Sequence, residues 1–202
     1  MVLQHNHIVR AIAFPHGMSN LLATGGMEKK LRIFDLSKVT PATNGAANGA
    51  DVPTIMADTA FEIGPGVHQG AIKAIVWTRN PNVLVTAADD KVIRWWDLQK
   101  QAVVQEQVVG GEIGSCEFNS PGGVADIGGG LPVLTIAAGK SVYFYGGPEA
   151  RTLLKSIDLP YEVASVALHS TQRKFVTGGR SEKDTWAKVY NYDTEQELGK
   201  SM

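Results

Sequence analysis

Apolar residues in this chain come in short bursts separated by Gly, Asn, Asp, Ser and Pro, and the bursts recur as phrases. Leu31-Arg-Ile-Phe-Asp35 returns as Ile93-Arg-Trp-Trp-Asp97. The burst before it, Leu21-Leu-Ala-Thr-Gly-Gly26, returns as Val83-Leu-Val-Thr-Ala-Ala88. The one before that, Val9-Arg-Ala-Ile-Ala-Phe14, returns as Ile72-Lys-Ala-Ile-Val-Trp77. Bursts of this length, rich in β-branched and aromatic residues and bounded by turn formers, predict strands. No window sustains a helical period. Repetition of this kind governs the fold, because each unit buries its apolar surface against a copy of itself.

Two fainter copies follow. Ile113–Phe118, Val133–Ala138 and Val142–Tyr145 make the third, and Val163–Leu168, Lys174–Gly179 and Val189–Asp193 make the fourth. A fourth outer strand is expected after each copy, at Ala60–Ile63, Ala102–Val109, Arg151–Ile157 and Glu195–Met202. First strands begin at 9, 72, 113 and 163, so the spacings are 63, 41 and 50. The shortest lies within the roughly 40–45 residues of a WD40 repeat. The predicted fold is all-β: one WD40 β-propeller segment of four blades, each of four antiparallel strands, with blades at about 1–66, 67–110, 111–158 and 159–202. The strands are apolar on both sides, as expected of sheets sandwiched between sheets.

Two insertions account for the long spacings. Residues 38–53 lie between the third and fourth strands of the first blade, and 119–130 between the first and second strands of the third. Both are rich in Gly, Ala and Asn and are expected to be loops with little to bury. They leave the same end of their blades and decorate one face of the disc. The opposite face carries the blade-to-blade linkers and the turns between second and third strands.

Composition narrows the function. Of 202 residues, 44% are hydrophobic and 19% charged, with a formal charge of −1. That is enough for a packed core and gives no broad basic footprint, so direct nucleic-acid binding is not expected. The single cysteine, Cys116, lies inside an apolar strand and is read as inert packing. A lone cysteine and the lack of a glycosylation sequon fit a reducing, intracellular setting, cytoplasmic with a nuclear pool as an extension. No apolar run reaches the roughly 18 residues of a membrane span, and no signal peptide is visible. No membrane association is expected.

The most specific polar constellation is His68, Thr86, Asp90 and Trp96 in the second blade. Trp offers an N–H donor, Thr gives and accepts, His relays, and a carboxylate can orient the imidazole, so these residue types can form one buried hydrogen-bond chain. Because they recur at repeat spacing and no nucleophile elbow accompanies them, a structural chain is read in preference to a catalytic triad. The first blade holds a degraded copy, His5, Thr24, Glu28 and Phe34, in which Phe supplies no donor. The third and fourth blades lack the His. Asp35, Asp97 and Asp193 are read as the Asp that closes each repeat. No catalytic, cofactor or metal site is expected, since His7, His16 and His169 have no ligand spacing. Arg10, Lys29, Lys30 and Arg32 read as a solvated basic cluster. Trp77 and Trp95 read as blade-packing residues, and Trp186 as a candidate for exposure.

The phrases His5–Phe14, Leu21–Lys38 and Ala87–Asp97 resemble the central blades of the serine/threonine kinase receptor-associated (Unr-interacting) protein family. The resemblance covers the chain and weakens in the third and fourth copies. It implies a seven-bladed scaffold with no catalytic residues. It also implies partners among SMN-complex components in spliceosomal ribonucleoprotein assembly, kinase receptors, or an RNA-binding translation regulator. This sequence departs from the family in its insertions and its length, as a fragment covering the central blades would. The expected function is a non-enzymatic protein-interaction scaffold. Within binding modules the alternative is the propeller subunit of translation initiation factor three or a Gβ-like scaffold. From another class it is a propeller hydrolase or oxidoreductase, which would need a polar or metal-lined channel. Four blades at a seven-blade step span little more than half a ring, so an open arc with bare ends is expected. A compact four-bladed ring is the alternative.

Overall fold

The computed structural model describes residues 2–17, 20–38, 54–55, 61–119, 127–181 and 187–199. Four four-stranded antiparallel sheets follow one another along the chain. The first contains β2 (Val9–Ala13), β3 (Leu21–Gly26), β4 (Leu31–Asp35) and β6 (Phe61–Ile63). The second contains β7 (Ile72–Trp77), β8 (Val83–Ala88), β9 (Val92–Asp97) and β10 (Ala102–Val108). The third contains β11 (Ile113–Asn119), β12 (Val133–Ala138), β13 (Ser141–Gly146) and β14 (Thr152–Asp158). The fourth contains β15 (Val163–Leu168), β16 (Lys174–Gly179), β17 (Lys188–Asn191) and β18 (Glu197–Leu198). Each is a simple up-and-down blade. One element was not expected: β1 (Val2–Leu3) pairs in parallel with β5 (Thr54–Ile55) beside the first blade. The insertion residues 39–53 and 120–126, and Trp186, lie outside the described residues. The end of the second insertion is described, and there Ile127 packs against the core between the third and fourth blades.

The apolar core is three sheet-on-sheet layers, not one centre. Between the first and second blades, Ala23, Leu31 and Ile33 meet Ile72, Ile75, Trp77 and Leu84. Between the second and third, Val85, Ile93 and Trp95 meet Ile113, Leu134, Ile136 and Tyr145. Between the third and fourth, Val142 and Phe144 meet Val166, Phe175, Tyr190 and Tyr192. Alternate residues of one strand point to opposite flanks, so adjacent residues such as Trp95 and Trp96 belong to different layers. Each buried Trp or Leu contributes about 1.5–3 kcal/mol. Both expected packing tryptophans also bridge blades with their N–H. Trp77 Nε1 donates to Ala13 O at 3.0 Å, and Trp95 Nε1 donates to Ala150 O at 3.0 Å.

The inner strands share one irregularity. Each bulges directly after its first residue, between Val9 and Ala11, Ile72 and Ala74, Ile113 and Ser115, and Val163 and Ser165. A bulge places one extra residue opposite its partner strand and bends the ladder. The bulge residue Gly114 lies so close to the next blade that a Cβ there would stand 2.2 Å from Ala164 O. The first two bulge residues are Arg10 and Lys73, and they start a charge ladder described below.

The arc is open. β2 packs on β7, β7 on β11 and β11 on β15. No comparable packing among the described residues joins β15 to β2, as the open-arc expectation requires. Bare ends are expected to carry alternate residues of Val9–Phe14 and Leu31–Phe34 on the first blade and of Val163–Leu168 and Val189–Tyr192 on the fourth, and only some of these are exposed. Ile12 and Phe14 are exposed, at 67% and 59%. Leu31, Ile33 and Phe34 are buried, as are Val163, Val166 and Leu168. The physical reason is that a terminal blade loses a neighbour on one flank only, so half of each apolar set stays covered.

Linker geometry adds a sharp steric constraint. A Cβ on Gly111 would stand 2.4 Å from Gly139 Cα, and backbone cannot move aside as a side-chain tip can. Gly111→Ala is therefore expected to destabilise the chain by about 1–3 kcal/mol, measured by chemical denaturation. An unchanged midpoint would show that the linker does not pack as described.

Candidate functional site

The polar residues singled out in the sequence gather where the linker passes its blade, with Thr24, His68, Thr86 and Trp96 buried and His5, Glu28 and Asp90 half-buried. In the second blade, Trp96 Nε1 donates to Thr86 Oγ1 at 2.7 Å. Thr86 Oγ1 lies 3.1 Å from His68 Nε2. His68 is not bonded to Asp90, whose Oδ2 stands 3.9 Å from Nδ1. Arg94 comes between them and donates from one Nη1 to His68 Nδ1 at 3.0 Å and to Asp90 Oδ2 at 2.8 Å. A guanidinium only donates. This network assigns the ring proton of His68 to Nε2, with Thr86 Oγ1 accepting from both rings.

Charge in the network follows from burial. Desolvation, assisted by the Arg94 charge, pushes the His68 pKa down to about 4. Burial resists ionisation of Asp90, but the Gln69 N–H and the Arg94 guanidinium outweigh it and hold the carboxyl below its usual range. Arg94 also donates from Nε to Glu106 Oε1 at 2.7 Å. Every nitrogen of His68 is occupied and Thr86 is fully buried. The arrangement works as a strut joining linker, second strand and third strand.

The first blade repeats the pattern with different polarity. His5 Nε2 lies 2.9 Å from Thr24 Oγ1, and Nδ1 lies 3.2 Å from Leu3 O. A neutral ring there carries its proton on Nδ1, toward the carbonyl, and Nε2 accepts from Thr24. Phe34 meets the His5 ring edge-on, with centroids 5.5 Å apart. Glu28 does not contact the His5 ring; it accepts the backbone N–H groups of Asn6 and His7 at 2.7 and 3.1 Å. Arg32 pairs with Glu28 and donates from Nε to Glu62 at 3.2 Å. That pairing holds Glu28 below the usual carboxylate range.

Sequence reasoning missed the arginines. Arg32 was placed in a solvated cluster, yet its side chain is only 4% exposed, and it and Arg94 fill the same register position. Their recurrence in Leu31-Arg32-Ile33 and Ile93-Arg94-Trp95 was the available signal. The fourth blade lacks the His, and Tyr161 supplies the missing link. Its hydroxyl lies 2.5 Å from Thr177 Oγ1 and 3.0 Å from Tyr190 Oη. Among the described residues the third blade has no such link. Register places Ile136 where Thr86 stands and Tyr145 where Trp96 stands. The Tyr145 hydroxyl is consequently buried with no partner, and burial pushes its pKa up to about 12.

The repeat-closing acids divide. Asp35 accepts from Ser37 N at 3.0 Å, and Asp97 from Gln99 N at 2.9 Å and Lys100 N at 3.0 Å, so both tie the turn after their strand. Asp193 does not. Asn191 holds the register position of Asp35 and Asp97 and accepts from Asp193 N and Thr194 N at 2.9 Å. Asp193 instead forms a two-pronged ion pair with Arg173, at 2.7 Å on each oxygen. The aromatic–Asp phrase matched two residues out of register because Tyr occurs at both 190 and 192.

Across the linker face, charges alternate from blade to blade. Arg10 pairs with Asp89 at 3.0 Å, Lys73 with Asp89 at 2.9 Å and also with Glu112, and Glu112 with Arg180 at 2.5 Å. No group of three or more His, Cys, Asp or Glu side chains is set to hold a metal among the described residues. Cys116 is buried, and burial pushes its thiol up to about 12. No helix among the described residues is long and apolar enough to cross a membrane.

Stacked four-stranded meanders, one of them braced by a buried His–Thr–Trp link, define a WD40 β-propeller segment. The WD domain, G-beta repeat profile matches residues 1–35 and 66–97. The WD40 β-propeller domain of Doa1 superposes with a TM-score of 0.59 at 14% identity, over 88% of this chain and 51% of that one. The chain has the WD40 β-propeller fold, with matched repeats in its first two blades, and it is similar to the serine-threonine kinase receptor-associated proteins. It is 30% identical to the Gallus gallus protein and 27% identical to the Homo sapiens protein, each over 98% of this chain and 47% of the relative. The Dictyostelium discoideum protein is 28% identical over 97% of this chain and 56% of its own length. The chain thus spans about half the length of the curated relatives it matches.

Two predictions follow from the relays. Trp96→Phe is expected to cost about 1–3 kcal/mol by removing a buried donor, whereas Tyr145→Phe should cost nothing or stabilise slightly; thermal melts compare the two. A second concerns pH. The depressed His68 pKa means that the unfolded chain binds a proton which the folded chain refuses. Stability should therefore fall as pH drops from about 6.5 toward 4, by up to about 3 kcal/mol. In His68→Gln the slope over that window should be shallower; an identical slope would show that His68 is not the group responsible.

Proposed function

We propose that the protein is a non-enzymatic scaffold that brings other proteins together in SMN-complex assembly of spliceosomal ribonucleoproteins, with receptor-kinase signalling as a second setting. The observation that carries this reading is likeness to the serine-threonine kinase receptor-associated proteins over 98% of the chain. The chemistry of the blades supports it. Their buried His, Thr, Arg and carboxylate groups are spent on bonds that hold linker to blade, such as those of Arg94 with His68 and Asp90. The charges on the linker face are largely engaged with one another. On this reading proteins are the partners, nucleic acid and membrane are not bound directly, and the site of action is the cytoplasm, extending to the nucleus.

The test is affinity capture from cell extract with the tagged chain, read by mass spectrometry. Enrichment of SMN-complex subunits is expected. Enrichment of initiation-factor-three subunits instead would favour that propeller subunit, and capture of neither would leave the scaffold reading without its assigned partners.

A further inference from the structure

The charge ladder of the linker face leaves two cations out. Arg10, Lys73 and Arg180 each pair with Asp89 or Glu112. Lys91 and Lys140 are exposed and pair with no carboxylate among the described residues. Both line one cleft of about 790 Å³, between the turn that joins β8 to β9 and the turn that joins β12 to β13. Gly110, Gly111 and Gly139 line it without side chains, and Glu162 completes the wall. Every lining segment lies inside the arc, with a blade on each side of it.

Lys91 is held there in a strained turn. Its φ is +62°, and Lys29 at the same place in the first blade has +61°. Left-handed backbone favours glycine, asparagine or aspartate, and in the third blade Gly139 takes it, at +58°. A lysine at such a position strains the backbone, and no ion pair within the fold offsets the strain. Residues held in this way gather at sites of function.

The charges that remain set the sign of the ligand. Asp89 and Glu112 also line the cleft, but both are engaged. Asp89 meets Arg10 and Lys73 at 3.0 and 2.9 Å. Lys73 and Arg180 hold the Glu112 carboxyl below the usual carboxylate range. Among the described residues of the wall, Glu162 alone is a carboxylate without such a partner, so two free cations face one free anion. No aromatic side chain lines the cleft to stack a base, and the carboxylates of the wall would repel an unbroken run of phosphates. A peptide spaces its carboxylates and supplies N–H donors that Glu162 can accept.

We propose that this cleft takes an extended acidic segment of a partner protein, its carboxylates pairing with Lys91 and Lys140 and a backbone N–H donating to Glu162. The inference rests on the scaffold reading only in taking the partner to be a protein.

Fluorescence anisotropy of the full 202-residue chain with a labelled peptide of glutamates alternating with glycines tests this. Saturable binding is expected, weakening as salt rises. Lys91→Glu and Lys140→Glu should each weaken it at least about threefold, with unchanged melting profiles. Gly110→Trp should weaken it too, because a Cβ on Gly110 meets nothing within 4 Å and the indole can fill the cleft. Lys100→Glu, on the opposite face, should leave it unchanged. Capture from extract reads the partner's identity and this measurement its chemistry, so either can fail without the other. The proposal is overturned if the peptide does not bind, or if the matching lysine–glycine peptide or an RNA oligonucleotide of equal charge binds more tightly. It is also overturned if the Lys91 and Lys140 variants weaken binding no more than Lys100→Glu does, or if Gly110→Trp binds as the wild type.

Discussion

The second and third blades of this protein are held by burial on both flanks, and the first and fourth by burial on one. A four-stranded sheet of this size has no core of its own, and its apolar residues find cover only on the sheets before and after it. The three layers of the arc meet this need with residues drawn from two blades each. Trp96 is covered by the first blade and its neighbour Trp95 by the third. Two-sided burial explains why the middle strands, such as Val83–Ala88 and Val133–Ala138, are apolar or uncharged throughout, and one-sided burial why Ile12 and Phe14 meet water.

Polar groups do a different task. Stacking alone tolerates sliding of one sheet over another, because dispersion has little direction. The buried links add direction: Trp96 to Thr86, Thr86 to His68, and Arg94 to His68 and Asp90. They tie the linker to the second blade, while the Arg10–Asp89–Lys73–Glu112–Arg180 ladder ties blade to blade. The blades solve the same problem with different chemistry. The first and second use His5 and His68, the fourth uses the Tyr161 hydroxyl, and the third leaves the Tyr145 hydroxyl unpartnered where Ile136 replaces the threonine.

This division of labour bears on function. Groups that would be reactive in an open cleft are here neutralised by one another under sheets. Surface is what remains for recognition, which suits a protein whose relatives are receptor-associated proteins.

The strands were legible in the residues themselves. Ile72–Trp77, Val83–Ala88, Val133–Ala138, Val163–Leu168 and Lys174–Gly179 end where the sequence pattern ends, because two-sided burial imprints an unbroken apolar run and turns need Gly, Asn and Asp. The members of the second-blade relay were legible as residue types at repeat spacing. Their connections were not. Whether Asp90 or Arg94 faces His68 depends on which side chains a bulged, twisted sheet brings within 3 Å, and a guanidinium can bridge a gap of 3.9 Å that a carboxylate leaves open. Register decided that Asn191 and not Asp193 closes the fourth repeat, because pairing with Lys174 counts residues across strands and the eye counts along them. The sequence by itself determined the repeat, the strands and the class of fold. Only the tertiary structure decided which partner each buried polar atom found and which half of each terminal apolar set stayed bare, because both depend on what lies across the gap between sheets.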